Sequence, residues 1–434
     1  MIKSFSIIKA KKSLIKNKDF TLMQAIMLLS PFLSIVLNNL FNLDSNVTAI
    51  SIGIVCIYFF SLMSFPKLKI KVIIFIFFIT TFYLISYLYY AGTVDVKIQD
   101  FLFYFVFSIL VMIKPAPIER LLLYIMMIGA LGILFIDFSP IFVSTYKSIS
   151  MGMSYALLPI VLATLLHFTY YRSKKSKLAM MLYVINASYF IILFRYAVRG
   201  VIISLLSFIL LLYVVRYTSN GVKQKKRSFF YYLTIISIFI LAIVFLLNMH
   251  EIFYTINDFF NTRGINIAFL AKTQRLLEIE DILHGRVPIY TEAIKGFLHS
   301  PIWGNGIGVF QNRTGFNYPH NFILQLLFDG GILLTFPVVF IIIRGFIYAV
   351  KASYIEDGYP IFVLLVCTSL PRLMFSANIW KTQSFWMLLA FVMVQYNIKL
   401  FTKNNKNYYR LKHCRKDGGS FKNENRNTHI SSIT

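Results

Sequence analysis

The residue best suited to catalysis is His320, which lies in the stretch NYPHNFILQLLFDGG at residues 317–331. Pro319 favours an extended backbone before it, so His320 and Asn321 should open the apolar helix that follows. Histidine titrates near neutral pH and can accept or donate a proton, although a lone histidine is more often structural. Asn321 would cap the helix or orient His320. No second histidine or cysteine stands at metal-ligand spacing, so we expect no metal site and no cofactor.

Four arginines could bind an anion. Arg195 and Arg199 flank a very short turn between two apolar runs, Arg286 opens an amphipathic stretch, and Arg372 lies within an apolar run. A guanidinium presents a planar fork of donors that matches phosphate oxygens. The alternative is that Arg195 and Arg199 reach toward lipid phosphates and Arg286 is a solvated surface residue. An ionisable side chain inside an apolar span, such as Arg372, usually faces a partner or a water-filled cavity.

Glycines occur at two places near these residues where the backbone is expected to turn or a helix to break. WGNGIG at residues 303–308 holds Gly304 and Gly306, but no strand precedes it and no long helix follows directly. A nucleotide-binding phosphate loop is therefore excluded by context. We interpret the stretch as a tight turn whose backbone approaches a ligand or the membrane surface. Gly330 or Gly331 should break the helix that His320 opens.

Composition identifies the class of protein that carries these residues. The 434 residues are 58% hydrophobic and 14% charged, with a mean hydropathy of +0.70. Soluble domains are less apolar and more charged, so we predict an all-α polytopic membrane protein. The net charge of +26 lies in short clusters between apolar runs, a pattern that sets membrane orientation and does not indicate nucleic-acid binding.

About 12 apolar runs are long enough to cross a bilayer. They occupy roughly residues 21–41, 46–65, 70–91, 99–113, 119–138, 151–171, 177–195, 198–217, 229–248, 331–352, 358–377 and 383–401.

Basic residues predict the sidedness, because cytoplasmic loops are enriched in Lys and Arg. The basic N-terminus at 1–20, every second loop and the basic tail at 402–434 should be cytoplasmic. About nine spans then fill 21–248, an extracytoplasmic catalytic loop covers 249–330, and about three spans fill 331–401. Within that loop we expect short amphipathic helices. GRVPIYTEAIKGFLHSP presents one apolar helical face and should lie on the membrane surface.

Two stretches together resemble the O-antigen polymerase and O-antigen ligase superfamily. They are GRVPIYTEAIKGFLHSPIWGNGIG followed by YPHNFILQLLFDGGI, and the upstream RGVIISLLSFILLL. The resemblance implies an integral-membrane glycosyltransferase in the bacterial cytoplasmic membrane. Its donor would be an undecaprenyl-diphosphate-linked glycan, used on the outer face without metal or cofactor.

The resemblance also implies roles for individual residues. Arg199 and Arg286 would clamp the diphosphate, and His320 would take the proton of the acceptor hydroxyl or hydrogen-bond the leaving group. Asp329 stands where family members often have glutamate, which leaves the role of this acid open.

Several activities fit this resemblance. We favour polymerisation of lipid-linked repeat units into O-antigen, capsular or exopolysaccharide, because polymerases are numerous and diverse and an Ile/Lys/Asn-rich style is common among them. The alternative is a ligase that transfers the finished glycan to lipid A core. A polysaccharide transporter or flippase and a purely structural scaffold are the remaining alternatives. A chain-length regulator, a flippase and membrane lipids are candidate partners.

Overall fold

The computed structural model describes residues 20–41, 69–90, 94–114, 117–136, 151–171, 176–196, 199–218, 249–264, 274, 286–351 and 358–395. Every regular element in these ranges is a helix, so the expected all-α class is confirmed for the described part of the chain.

The helices are numbered in chain order. They are α1 (Phe20–Leu28), α2 (Ser30–Phe41), α3 (Ile70–Tyr89), α4 (Ile98–Val111), α5 (Ile118–Gly132), α6 (Met151–Tyr171), α7 (Lys177–Tyr196), α8 (Arg199–Thr218), α9 (Met249–Asn261), α10 (Val287–His299), α11 (Phe310–Thr314), α12 (Phe322–Lys351), α13 (Gly358–Phe375) and α14 (Gln383–Gln395). A 3₁₀ turn at Ile379–Lys381 joins α13 to α14.

Several helices are long and apolar enough to cross a membrane, which confirms the membrane class. Among the described residues there are five, or six if α1 and α2, bent by 75°, form one span. The five are Ile70–Tyr89, Ile118–Phe135, Gly152–Tyr171, Phe322–Ile347 and Gly358–Phe375. Shorter apolar helices coincide with the expected spans at 99–113, 198–217 and 383–401. The expected spans 46–65 and 229–248 lie outside the described residues, so the total of 12 stays a prediction.

α13 is the central helix of the bundle. It packs against α5, α6, α8 and α12, and its residues from Gly358 to Ser369 are all buried. The hydroxyl of Tyr359 donates to the Leu211 carbonyl at 2.8 Å, which ties α13 to α8. By contrast, α3 and α12 expose large apolar side chains such as Phe77 and Phe336. A helix that is apolar on its outward face needs lipid there, so α3 and α12 form part of the bundle surface.

α12 is broken at Gly331, which has φ 60° and ψ −156°. A break inside an apolar helix leaves backbone groups that need new partners, because lipid offers none. The loop at residues 301–306 supplies them. Four backbone hydrogen bonds join the two: Asn305 N–H to the Phe328 carbonyl (2.7 Å), Gly306 N–H to the Asp329 carbonyl (2.9 Å), Ile332 N–H to the Pro301 carbonyl (2.9 Å) and Leu333 N–H to the Ile302 carbonyl (3.2 Å).

Glycine is required where the loop and α12 meet. A Cβ on Gly304 would overlap the backbone of Asp329 and Gly330, and a Cβ on Gly331 would overlap the Ile302 carbonyl. Both glycines also have positive φ, the left-handed region that other residues rarely adopt. The close backbone approach expected for WGNGIG is therefore made to α12, and Gly304 and Gly306 act structurally in this structure.

The expected amphipathic helix is present as α10. Its small residues face the protein, where Ala293 is buried against Phe328. Its apolar residues Val287, Ile294 and Leu298 are exposed on the outside. That leaves an apolar face without a protein partner, which is the arrangement expected of a helix lying on a membrane surface. The contact with the membrane itself stays a prediction.

Replacing Gly304 by alanine should destabilise the protein far more than replacing Gly315. The two glycines have similar φ, +70° and +75°, but a Cβ on Gly315 meets nothing within 4 Å. Gly315→Ala should cost about 1 kcal/mol through backbone strain alone. Gly304→Ala should cost about 3 kcal/mol or more because it also separates the loop from α12. Thermal unfolding of the purified variants in detergent measures the difference in stability. Equal losses of stability would refute the pairing of the loop at residues 301–306 with the break in α12.

Candidate functional site

The residues of the candidate site meet at the end of α13 and just beyond it, at residues 375–380, which we call the α13 exit segment. Carbonyls at the end of a helix have no helical partner, so they are available to side chains. The carbonyl of Phe375 accepts a hydrogen bond from Arg286 Nη2 at 2.6 Å. The next carbonyl, of Ser376, accepts one from the Tyr318 hydroxyl at 3.0 Å. Two segments that are remote in sequence from α13 are thereby fixed at its end.

Arg372 and Tyr155 complete this group from inside the bundle. The Arg372 guanidinium carbon lies 5.0 Å from the centroid of the Tyr155 ring, within reach of a cation–π interaction. The Tyr155 hydroxyl shares a hydrogen bond of 2.6 Å with Ser376 Oγ. We call Arg286, Arg372, Tyr155, Tyr318 and Ser376 the arginine–tyrosine cluster.

The two arginines of the cluster have no carboxylate partner within the described ranges. Arg372 Nε is buried and meets no hydrogen-bond acceptor there. Both arginines are partly buried, and a partly buried cation without an anionic partner is costly.

The pKa of the Tyr318 hydroxyl depends on its burial and on the charges of the two arginines. Burial raises the pKa of the Tyr318 hydroxyl above its ordinary value, and the charges of Arg372 and Arg286 lower it only in part. The hydroxyl therefore stays protonated across the neutral range and keeps donating to the Ser376 carbonyl. Tyr318 is thus a neutral side chain that positions the segment between the arginines and His320.

His320 is held in an unusual backbone conformation beside the cluster. Its φ is 56°, and it is the one non-glycine residue with positive φ among those the structure describes. That conformation costs roughly 1–3 kcal/mol, and strain of this kind is concentrated at functional sites. The His320 ring packs against the Tyr318 ring with centroids 4.2 Å apart. The backbone conformation and this ring contact together hold the imidazole against the Tyr318 ring, whose hydroxyl binds the α13 exit segment.

Asn321 is the N-cap of α12. Its Oδ1 accepts the backbone N–H groups of Ile323 and Leu324 at 3.0 and 3.2 Å. This satisfies two of the free donors at the helix start. The two roles proposed from sequence were capping and orienting His320, and the geometry supplies the cap. Because Pro319 is buried and Asn321 is bound to α12, the backbone on both sides of His320 is constrained.

The upstream arginines lie at the same end of the bundle, but their side chains lie outside the described residues. Arg199 is the first residue of α8, and the backbone of Gly200 follows it. A Cβ on Gly200 would overlap the Tyr155 hydroxyl, so glycine lets α8 approach the arginine–tyrosine cluster. The backbone of Arg195 lies in the last turn of α7. The contact of Arg195 and Arg199 with an anion stays a prediction.

A buried polar network joins α12 to the α13 exit segment. Trp380 Nε1 donates to Asp329 Oδ2 at 2.6 Å. Gln325 Nε2 donates to Asn378 Oδ1 at 2.9 Å, and Gln325 Oε1 accepts from Ile379 N–H at 3.1 Å. Asp329 and Gln325 are both almost fully buried. Asp329, whose role sequence comparison leaves open, therefore serves here to position the segment that carries the site.

The sequence singled out the charged members of the cluster and not the neutral ones. The structure brings Arg286, Arg372 and the segment that carries His320 to the α13 exit segment, and their binding of a shared ligand stays a prediction. Tyr155 and Ser376 were missed, because nothing local distinguishes them from other residues of apolar helices. Tyr318 had one signal, its position directly before the Pro-His-Asn sequence.

A groove of about 590 Å³ lies away from this cluster, between α3 and α12. Its lining is mainly apolar and includes Phe78 and Phe336, and Lys71 and Arg344 also line it. None of its lining residues belongs to the arginine–tyrosine cluster. In the described ranges no group of three or more His, Cys, Asp or Glu side chains could hold a metal ion.

The fold defines a polytopic membrane protein, and the cluster places two arginines and a conformationally constrained histidine at one end of its helices. The family model described as O-antigen ligase matches residues 184–339, which confirms the resemblance to the O-antigen ligase and polymerase superfamily over this stretch. The matched stretch contains Arg199, Arg286 and His320, and excludes Arg372. No curated protein and no solved structure matches the chain.

Trp380→Phe should destabilise the protein more than Trp386→Phe. Both indoles are fully buried, but Trp386 Nε1 donates to the neutral Ile379 carbonyl at 3.0 Å, whereas Trp380 Nε1 donates to Asp329. Both changes remove similar volume. The difference between their losses of unfolding free energy therefore reports the cost of leaving the Asp329 carboxyl without its hydrogen-bond donor. We expect an additional loss of about 1–2 kcal/mol for Trp380→Phe, measured by thermal unfolding in detergent. Combining it with Asp329→Leu should remove that additional loss, and its persistence would contradict the proposed network.

Proposed function

We propose that this protein polymerises oligosaccharide repeat units linked to undecaprenyl diphosphate into O-antigen, capsular or exopolysaccharide. The observation that carries the proposal is the pair Arg286 and Arg372, two cations without carboxylate partners in the described ranges, beside a strained histidine. A lipid diphosphate is an anion held at a membrane surface, and it brings its own leaving group. The family match agrees with glycosyl transfer of this general kind.

In this proposal the arginines bind the diphosphate of the donor. His320 accepts the proton of the acceptor hydroxyl while that oxygen attacks the anomeric carbon of the donor sugar. The bond between the anomeric carbon and the diphosphate oxygen breaks, and the electron pair leaves with the lipid diphosphate. Charge grows on that oxygen during the reaction, so guanidinium groups fixed in advance stabilise the transition state. No step requires a metal or a nucleotide.

The second candidate is a ligase, which the description of the matching family model favours. Both reactions use the same donor and the same bond cleavage, and they differ in the acceptor. A polymerase joins the growing glycan to another lipid-linked repeat, whereas a ligase transfers it to lipid A core. The Ile/Lys/Asn-rich composition favours a polymerase. An experiment that identifies the acceptor distinguishes the two reactions.

The proposed location of the reaction is the outer face of the bacterial cytoplasmic membrane. The basic loops and termini would be cytoplasmic, which puts the N-terminal end of α12 and the C-terminal end of α13 outside. Sugar nucleotides and ATP are not expected there, so a donor carrying a diphosphate is chemically suited to this side. A flippase that delivers the repeat unit and a regulator of chain length are the partners we propose.

Substitution of His320 tests the function directly. A deletion strain complemented with His320→Ala should lose long polysaccharide because the hydroxyl proton has no acceptor. His320→Asn is the sharper variant, because asparagine tolerates the left-handed backbone but cannot act as a general base. Gel electrophoresis of the glycans, with protein level checked, measures the result.

The pattern of the remaining glycan separates the candidates. A ladder that collapses to a single repeat on its acceptor supports the polymerase. Long lipid-linked glycan that never reaches lipid A core supports the ligase. An unchanged ladder at normal protein level would exclude a catalytic role for His320 and favour a transporter.

Arg286→Lys should reduce transfer while keeping the charge. Lysine cannot hold the Phe375 carbonyl and a phosphate oxygen in one planar fork, so we expect the rate to fall about 100-fold. Arg263→Lys is the matched control, because Arg263 is exposed and stacks on Phe259 of α9 with its guanidinium carbon 3.6 Å from the ring centroid. Elongation of lipid-linked repeat units by purified protein gives the rates. Equal rates for both variants would rule out Arg286 as a diphosphate ligand.

A further inference from the structure

A second cavity, of about 330 Å³, lies where the C-terminal end of α3 meets the loop after α10. We call it the aromatic pocket. Its lining includes Tyr89, His299, Trp303, Asn305 and Arg313. None of these residues belongs to the arginine–tyrosine cluster. Trp303 and Asn305 lie in the WGNGIG stretch, whose Gly304 and Gly306 also line the pocket and which the sequence suggested approaches a ligand or the membrane surface. We propose that the aromatic pocket binds sugar rings of the glycan, an inference that rests on the proposed function and adds a substrate-binding site to it.

The lining combines the two chemistries that a sugar ring requires. A pyranose has faces made of C–H groups, which pack on aromatic rings, and an edge of hydroxyl groups, which need hydrogen-bond partners. Trp303 is 65% exposed and Tyr89 is 79% exposed, so both rings can receive a ligand. His299 and Arg313, both exposed, provide hydrogen-bonding groups at the same place, and the buried Asn305 side chain holds the loop by donating to the Gly296 and Phe328 carbonyls. Pockets with aromatic walls and a few placed polar groups are typical ligand sites.

The pocket is built before any ligand arrives. Trp303 stacks on Phe82 of α3, with ring centroids 6.3 Å apart and planes inclined by 26°. Asn305 Nδ2 donates to the Gly296 carbonyl at 2.9 Å, and the Tyr90 hydroxyl donates to the Asn305 carbonyl at 3.0 Å. The loop that forms the floor is also the one that fills the break in α12. A preformed site avoids the entropic cost of ordering side chains on binding.

The position of the pocket suits a glycan that extends from the reacting end. Arg286 precedes α10 and His299 ends it, so a 13-residue helix separates the arginine–tyrosine cluster from the pocket. That helix is about 20 Å long. A lipid-linked glycan bound by its diphosphate at one end of α10 would reach the other end with sugars remote from the reacting bond. Binding energy from remote groups helps to hold and orient the reacting end.

The polar lining argues against a lipid tail as the occupant. A hydrocarbon chain in the aromatic pocket would bury the side chains of His299 and Arg313 without hydrogen bonds to replace water. The groove between α3 and α12 has the apolar lining that such a chain requires. The sugar portion of the substrate is therefore the occupant with matching chemistry.

Tryptophan fluorescence gives a direct test. The chain has three tryptophans, and Trp380 and Trp386 are fully buried, so a change on ligand binding reports on Trp303. The probe is the oligosaccharide repeat of the host polysaccharide, released from lipid by mild acid and added to the full-length protein in detergent. We expect a saturable change in the wild type and none in Trp303→Phe, which keeps an aromatic ring but removes the reporter.

Calorimetry of the same oligosaccharide measures affinity without the reporter. Trp303→Ala should weaken binding about five- to tenfold. Phe77→Ala, which removes another exposed ring of the region from the lipid-facing side of α3, should bind as the wild type does. No binding to the wild type, or equal binding to Trp303→Ala, would overturn the proposal.

One further variant separates this inference from the proposed function. His320→Ala should bind the oligosaccharide with wild-type affinity and fail to elongate lipid-linked repeat units. If Trp303→Ala binds normally while His320→Ala fails to elongate, the proposed function stands and the aromatic pocket is not a sugar site. If Trp303→Ala binds weakly while His320→Ala elongates normally, the pocket is a sugar site and the proposed role of His320 is wrong.

Discussion

The break in α12 is the constraint on which the rest of the site depends. An apolar helix cannot leave backbone N–H and C=O groups unpaired inside a membrane, so the loop at residues 301–306 must lie against the break and pair with it. This pairing fixes the end of α10, and with it the arginine at the start of that helix. It also allows the first turns of α12, directly after His320 and the cap Asn321, to carry Gln325 and Asp329 on a piece of helix that turns relative to the longer one.

The α13 exit segment is the second point of convergence. It receives Arg286 and Tyr318 through backbone carbonyls, Tyr155 through the Ser376 hydroxyl, and α12 through Trp380. Two of these contacts use backbone carbonyls that a helix end leaves free, and the Ser376 hydroxyl and the Trp380 indole add side-chain contacts, so the end of the most buried helix serves as a rigid support. A site built in this way brings Arg286 to the end of the helix that carries Arg372 although the two are far apart in sequence. In the proposed function, an anionic ligand would offset the charges of these arginines.

Much of this organisation could be predicted from the sequence, and the reasons are local. The amphipathic pattern of α10, the cap at Asn321 and the break at Gly331 follow from residue types that act on their immediate neighbours. The arginines and His320 stand out because ionisable residues are rare in an apolar chain. The role of WGNGIG was predicted in kind, a close backbone approach, but not in its partner, because the partner is a helix that begins more than ten residues later.

The sequence by itself determined the membrane class, the helical elements and the charged residues that a lipid-linked anion would need, because apolar runs and isolated charges have consequences that require no tertiary contact. Only the tertiary structure decided which neutral side chains contact those charges, and it formed the aromatic pocket that we propose as a second binding place for the glycan. Tyr155, Ser376 and Trp303 are ordinary residues in their own segments. They acquire a role because the bundle, and the loop paired with the break in α12, bring together groups that are 58 to 221 residues apart.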